Sequence, residues 1–334
     1  MKINLLQRKP AAGQFSIEGY FVRVVEEFGN MGIPARLLIA PVLSRGLFRR
    51  LRILLFAMRN QGDVTHITGD ISFAALATTP AKTVVTILDC EVIERSRGLK
   101  KALIRYLWFT LPVTRAAAVT VISDETKRQL LRQVPTLGPE KIYVIPVSIS
   151  DRFTPSPRRK FSKKPVILQI GTKKNKNLPR LIEALKGVPC FLSIVGNISD
   201  EIKETLAQHA IDYEVHFDLS DDELLEIYRA ANILTFVSTY EGFGMPIVEA
   251  QSIGLPVVAS NCSSMPEVAG NGACLVDPFE VSSIRAGIQK IIDDEAYQLE
   301  LIDRGFENAK RFSSNSIARQ YADVYSASLK ARRK

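Results

Sequence analysis

Two glutamates eight residues apart are the first candidates for chemistry in the chain, Glu241 and Glu249 in "STYEGFGMPIVEA" (238–250). Gly242 and Gly244 allow backbone amides to come close to a ligand, and Pro246 suits the first turn of a helix. Glu241 is therefore expected in a loop and Glu249 about one turn inside the helix that follows. Carboxylates accept hydrogen bonds from vicinal hydroxyls, so each glutamate could hold one sugar ring of a polyol ligand. A general acid and base pair of the glycosidase type stays open, because it depends on a separation in space that spacing along the chain does not give.

A second candidate lies in "QIGTKKNKN" (169–177). The segment leaves a strand through Gly171 and Thr172, offers Lys173, Lys174 and Lys176, and runs into a helix near Leu178. Lysines beside outward-facing N–H groups and a helix dipole suit a diphosphate. A plain turn with solvated lysines is the alternative. The spacing is not that of a Walker loop, which needs G-x-x-x-x-G-K-[ST].

These segments are positioned by an alternation of strands and helices that occurs twice. In the first half "VTHIT" (64–68), "TVVTIL" (83–88) and "AVTVIS" (118–123) are separated by helical stretches such as 124–134. A stretch rich in proline and charge, "TPSPRRKFSKKP" (154–165), then reads as an interdomain linker. The rhythm restarts with "VILQIGT" (166–172), "FLSIVGN" (191–197), "YEVHF" (213–217), "ILTFVS" (233–238) and "PVVAS" (256–260). Before the fourth of these, "SDDELLEIYRAA" (220–231) opens with a Ser N-cap and Glu223 at the capping-box position. The pattern predicts an α/β protein of two doubly wound, Rossmann-like parallel-sheet domains facing across a cleft. Ligands of such sheets bind outside the carboxyl ends of the strands. Gly196, Asn197 and the "HFDLS" turn (216–220) fall at such ends and are candidate ligand contacts through their backbone groups.

Composition agrees. A chain of 334 residues suits two domains, and 46% hydrophobic with 24% charged residues is ordinary for a globular protein. "MKINLLQRKP" (1–10) reads as a first strand rather than a secretory signal, and no apolar run is long enough to span a bilayer. Cys90, Cys190, Cys262 and Cys274 are far apart and suit reduced thiols. The net charge of +9 is concentrated in residues 1–155, where 22 Lys and Arg face 12 Asp and Glu. Much of the excess lies in "SRGLFRRLRILLFAMRN" (44–60) and "RSRGLKKALIRYLWF" (95–109), where basic and apolar residues interleave at helical spacing. Such segments suit an anionic membrane surface, or helices packing an apolar stripe on a sheet with a solvated basic face. No nucleic-acid-binding motif accompanies the charge.

Residues 228–278, "YRAANILTFVSTYEGFGMPIVEAQSIGLPVVASNCSSMPEVAGNGACLVDP", resemble the signature region of the family 4 retaining glycosyltransferases, also called glycosyl transferases group 1, which have the GT-B fold. Their E-x7-E motif matches Glu241 and Glu249. "IGTKKNKNLPRLIEAL" (170–185), "VISDETKRQLL" (121–131) and "VIPVSISDRF" (144–153) extend the resemblance over nearly the whole chain.

The resemblance implies that Glu249 binds the ribose hydroxyls of a nucleotide sugar. It implies that Glu241 contacts the transferred sugar with the amides of Phe243, Gly244 and Met245, and that Lys176 neutralises the donor diphosphate. An arginine common just after Gly171 is here Thr172. Facing the acceptor, "DVTHITGD" (63–70) makes His66 and Asp70 candidates, with a core histidine as the other reading of His66. A histidine that touches the donor sugar in many members is replaced by Leu88, followed by Asp89. The glycine-rich first loop is reduced to "PAAGQFSIE" (10–18), with Gly13 its one glycine.

The resulting expectation is a cytoplasmic enzyme, peripheral at the inner face of the membrane. It would move a sugar from a nucleotide diphospho-sugar to a saccharide acceptor on a lipid carrier, with retention and without a metal or other cofactor. Its N-terminal acceptor domain would span 1–153, its donor domain 166–313, and the C-terminal helix 314–331 would return to the first domain. Two rivals are a GT-B nucleotide-sugar epimerase and a membrane-bound scaffold that has lost catalysis, with Leu88 and Thr172 as traces of the loss.

Overall fold

Short runs of Val, Ile, Leu and Thr form twelve parallel strands among the described residues, which in this computed structural model are 2–10, 16–94, 96–157 and 161–331. Two units separate: Met1–Ser150 with Ser313–Lys334, and Asp151–Phe312.

In the first unit β1 (Ile3–Gln7), β2 (Ala35–Ile39), β3 (Val64–Thr68), β4 (Thr83–Ile87), β5 (Ala118–Val121) and β6 (Ile142–Val144) form one sheet. Their order is β2-β1-β3-β4-β5-β6, with every neighbouring pair parallel. β1, β3 and β4 are buried along their whole length, as parallel strands covered on both faces must be. Helix α1 (Ser16–Asn30) turns Tyr20, Phe21, Val24 and Phe28 to the core at helical spacing. The helices that follow include α2 (Leu47–Arg59), α3 (Gly98–Ile104) and α4 (Asp124–Gln133). The Ser123 hydroxyl caps α4 by accepting from Thr126 N at 3.0 Å.

The second unit repeats the scheme with β7 (Val166–Ile170), β8 (Phe191–Val195), β9 (Asp212–His216), β10 (Ile233–Phe236), β11 (Val257–Ser260) and β12 (Cys274–Val276). The order β12-β11-β10-β7-β8-β9 is the doubly wound order of dinucleotide-binding sheets, and it reverses between β7 and β10. The helices that matter for the site are α5 (Leu178–Leu185), α6 (Asp200–Gln208), α7 (Asp221–Ala230) and α8 (Met245–Ile253). Ser220 and Glu223 form the capping box of α7 that the sequence announced. Residues Phe161 and Ser156 of the stretch read as a linker join this unit: Phe161 packs on its core and Ser156 N donates to Ile253 O at 3.1 Å. Residues 158–160 of that stretch lie outside the described residues, as do Arg95 and Gly13 of the first half.

The last helix, α9 (Ser314–Ala331), belongs to the first unit and buries Ile317, Ala318, Tyr321 and Tyr325 there. Where the sequence suggested one helix through 95–109, a π-helical turn over Arg105–Thr110 follows α3. Pro112 explains it: proline has no N–H to give to the Trp108 carbonyl, and that carbonyl accepts from the Ser72 hydroxyl instead.

Candidate functional site

The topological reversal between β7 and β10 sends their following loops apart and opens a crevice at the carboxyl end of the second sheet. Lys176 leaves the first loop and Glu241 the second. Lys176 Nζ donates to Glu241 Oε1 at 2.7 Å, and the two side chains are 17% and 15% exposed. A pair that is reachable yet mostly shielded from water interacts more strongly than one on the open surface. The ammonium also lies 4.4 Å from the centre of the Phe236 ring, over its negative face.

Both loops depend on backbone conformations that glycine and asparagine tolerate. Gly171 has φ 87°, and a Cβ there would stand 3.0 Å from Lys176 Cε, so the lysine stem crosses where a side chain would be. Gly244 has φ 109° and caps α8. Met245 opens that helix, so its N–H is among those a helix leaves without an internal partner. Asn177, at φ 61°, ends the first loop and is buried. Its amide donates to Val237 O at 3.0 Å and Pro278 O at 2.7 Å, which ties the Lys176 loop to the end of β10.

Around Glu241 the polar groups converge. Asn175 Nδ2 donates to Tyr240 O at 3.0 Å and to Glu241 Oε1 at 3.2 Å. Ser263 Oγ accepts from Glu241 N at 3.1 Å and donates to Glu241 O at 2.7 Å, while Ser264 Oγ donates to Phe243 O at 2.7 Å. The loop after β11 therefore clamps the Glu241 loop from the side away from Lys176. Phe243 is buried and meets Phe312 edge to face at 5.7 Å.

Glu249 sits in α8 with Tyr228 of α7 beside it. The Tyr228 hydroxyl donates to Glu249 Oε2 at 2.6 Å. That tyrosine is wholly buried, and burial first, the Glu249 charge second, pushes its pKa well above the ordinary tyrosine range. It acts as a fixed donor that orients the carboxylate. Thr172 lies on the same sheet edge, but its hydroxyl is committed to Asn197 O at 2.6 Å. Thr172 thus braces the loop after β8.

The structure therefore brings Lys176, Glu241, Gly171, Thr172, Asn197 and the 243–245 segment to neighbouring loops of one sheet, with Glu249 in the helix that continues one of them. Sequence reasoning passed over Asn175, Asn177, Tyr228, Ser263 and Ser264. The Ser263–Ser264 pair, two hydroxyls in a loop just after a parallel strand and just before a Met-Pro helix start, was the available signal.

The described candidates in the first unit fall on β3 and just after the neighbouring strands β3 and β4. Asp70 is 65% exposed and ion-paired with Arg8. Asp89 Oδ1 accepts from Glu91 N at 2.9 Å and starts a short helix. His66 needs correction as an acceptor-side contact: it is 0% exposed, and both ring nitrogens are engaged, with Tyr325 OH at 2.7 Å and Thr86 Oγ1 at 2.6 Å. Burial alone drives its pKa down to about 3, so the ring is neutral. Gly13 lies outside the described residues.

Comparison with known proteins gives the site its context. Residues 151–312 match the family described as Glycosyl transferases group 1, and these bounds are those of the second unit. The chain is 30% identical over 105 residues to an O-antigen chain mannosyltransferase B of Escherichia coli, over 31% of this chain and 28% of that protein. It thus spans under a third of that curated relative. Among solved structures, a glycosyltransferase from Rickettsia africae superposes with a TM-score of 0.78 at 20% identity, over 98% of this chain and 99% of the other. HepE of Anabaena, solved in complex with UDP and glucose, gives 0.77 at 17% identity, over 98% and 100%. At such identities the likeness is one of fold, and the fold is GT-B.

Proposed function

We propose that this chain, whose second unit matches the glycosyl transferases group 1, is a retaining glycosyltransferase of family 4 that uses a nucleotide diphospho-sugar as donor. The observation that carries the reading is the Lys176–Glu241 pair at the reversal point of a doubly wound sheet.

In this reading the ligand-free pair exchanges partners. The donor diphosphate takes the Lys176 ammonium, and Glu241 is released to accept hydrogen bonds from hydroxyls of the transferred sugar. Negative charge grows on the diphosphate as the glycosidic bond breaks, so a cation already in place, together with amides at the start of α8, stabilises the transition state more than the ground state. The positive charge comes from this chain, and the reading calls for no metal. Glu249, oriented by Tyr228, takes the ribose hydroxyls. The nucleobase is assigned to the groove of about 470 Å³ lined by Asn197, Ile198, Tyr213 and Phe217, among others.

The acceptor is read as a saccharide, with Asp70 and Asp89 of the first unit as its candidate contacts. The E. coli relative, an O-antigen chain mannosyltransferase by name, supports an acceptor in cell-surface polysaccharide synthesis and mannose as a sugar to try first. In this reading the acceptor is carried on lipid and the protein works at the cytoplasmic face of a membrane. No helix among the described residues is long and apolar enough to cross one.

The test is a donor panel of UDP-, GDP- and dTDP-sugars with NMR of the product. A disaccharide linkage of the same anomeric configuration as the donor supports the reading. Release of free sugar alone would point to an epimerase, and no turnover with any donor to a degenerate scaffold.

A further inference from the structure

Helix α2 has two apolar sides, and the fold uses one. Ile53 and Ala57 face the core, and Arg50 lies against the Trp108 ring at 4.6 Å. Leu47, Phe48, Leu51, Leu55 and Met58 project on another side and are 70, 83, 46, 47 and 50% exposed. At 100° per residue these five span about a quarter of the helix circumference, with the exposed Arg52 and Arg59 along one edge. The second basic segment behaves alike: Leu99, Leu103 and Tyr106 are 91, 57 and 53% exposed, at the spacing of one helix face. Arg50 and Trp108 join the two segments within the first unit.

Charge decides what covers this surface. Residues 44–60 hold five arginines and residues 96–109 four lysines and arginines, with no acidic residue in either. A second copy packed through the same patch would set these cations against each other. A nucleic acid would meet the cations and leave the leucines and Phe48 in water. In the second unit the exposed large apolar residues Phe217, Leu275, Phe279 and Leu299 are spread along the chain and form no such stripe.

We infer that α2 and the 97–106 segment form one docking surface for an anionic lipid bilayer. Leu47, Phe48, Leu51 and Leu99 enter the acyl boundary, and Arg49, Arg52, Lys100 and Arg105 bind lipid phosphates. The surface stands on the first unit alone; only its purpose, bringing the enzyme to a lipid-borne acceptor, rests on the transferase reading.

Flotation without nucleotide tests it, using phosphatidylcholine vesicles with and without about a third phosphatidylglycerol. The protein is expected to float with the anionic vesicles and to stay behind with the neutral ones. Phe48→Ser with Leu51→Ser should weaken binding on the order of tenfold, and R49Q/R52Q/R59Q on the order of a hundredfold. Melting curves check that both variants keep the native fold, and K127Q/R128Q on α4 should bind as wild type does. Failure to float, or retention of full binding by the Phe48/Leu51 variant, overturns the proposal. So does a dimer in solution that the Phe48/Leu51 variant abolishes, which would assign the patch to a second copy. Because no nucleotide is present, failure here leaves the donor site standing, and a donor-site failure leaves this surface standing.

Discussion

The two sheets share an architecture and put their polar residues to different uses. In the second unit Lys176 and Glu241 stand at the carboxyl edge and bond each other, and Glu249 bonds Tyr228 in the helix beyond. In the first unit a network of polar residues lies inside. His66 bonds Tyr325 and Thr86, and Thr86 bonds Thr120 at 2.6 Å. Tyr20 OH lies 2.9 Å from Tyr321 OH and 3.0 Å from Pro146 O. His66, Thr86, Thr120, Tyr20, Tyr321 and Tyr325 are all buried. This network is a clamp that holds α9 onto the sheet. A buried network is stabilising only while every member is satisfied, whereas a ligand site keeps groups that can change partners.

Breaking the comparison at its edge should have the largest effect. Lys176→Met removes the cation proposed to meet a donor diphosphate and should lower transfer by roughly two to three orders of magnitude. Steady-state kinetics checks it, and melting should show little change in the ligand-free protein. Breaking it in the interior should do the reverse. His66→Ala leaves Tyr325 and Thr86 without their partner and opens a cavity, a destabilisation of about 3 kcal/mol. Denaturant unfolding should register that loss, while nucleotide affinity in the folded fraction stays within about twofold of wild type.

Acid sharpens the same contrast. The folded pKa of His66, about 3, lies below its ordinary value of 6.5, so the unfolded chain takes up a proton that the folded one refuses. Its contribution is complete above pH 6.5 and is lost as pH falls from there toward 3. At pH 5 the loss should reach about 2 kcal/mol. Unfolding at pH 7 and pH 5 measures it, and His66→Gln should flatten that part of the slope. The smallest effect is expected from Tyr228→Phe. Losing one hydrogen bond to Glu249 should raise KM for the donor roughly tenfold and leave kcat nearly unchanged; a change in kcat alone would argue against a role in binding.

How much of this was legible follows from the range of the interactions. The capping box at Ser220 and Glu223 spans four residues and could be read directly. So could the glycines and Pro246 that put Glu241 in a loop and Glu249 in a helix, because those constraints act within a turn. The Lys176–Glu241 bond joins residues 65 apart and needs the strand order, which the alternation of strands and helices suggests without fixing. His66 shows the limit: the sequence left a ligand contact and a core histidine both open, and it takes the bonds to Thr86 of β4 and to Tyr325 of α9, 259 residues away, to make it a core residue. The edge strand β2 was missed because "ARLLI" is partly exposed and lacks the alternation of a half-buried strand. Residues 44–60 could be read as suiting a membrane surface or a sheet, but spacing alone does not say which apolar face of α2 meets the sheet.

The most direct test of the central claim is thermal melting with UDP, GDP and dTDP and their sugar conjugates, on wild type and Glu249→Ala. A ligand at a hundredfold excess over its Kd adds roughly 2.7 kcal/mol to the native state. The account predicts that one nucleotide raises the Tm of wild type and leaves the Glu249→Ala protein unmoved. Equal stabilisation of both proteins would place nucleotide binding away from this carboxylate, and no stabilisation of either would contradict the donor site itself.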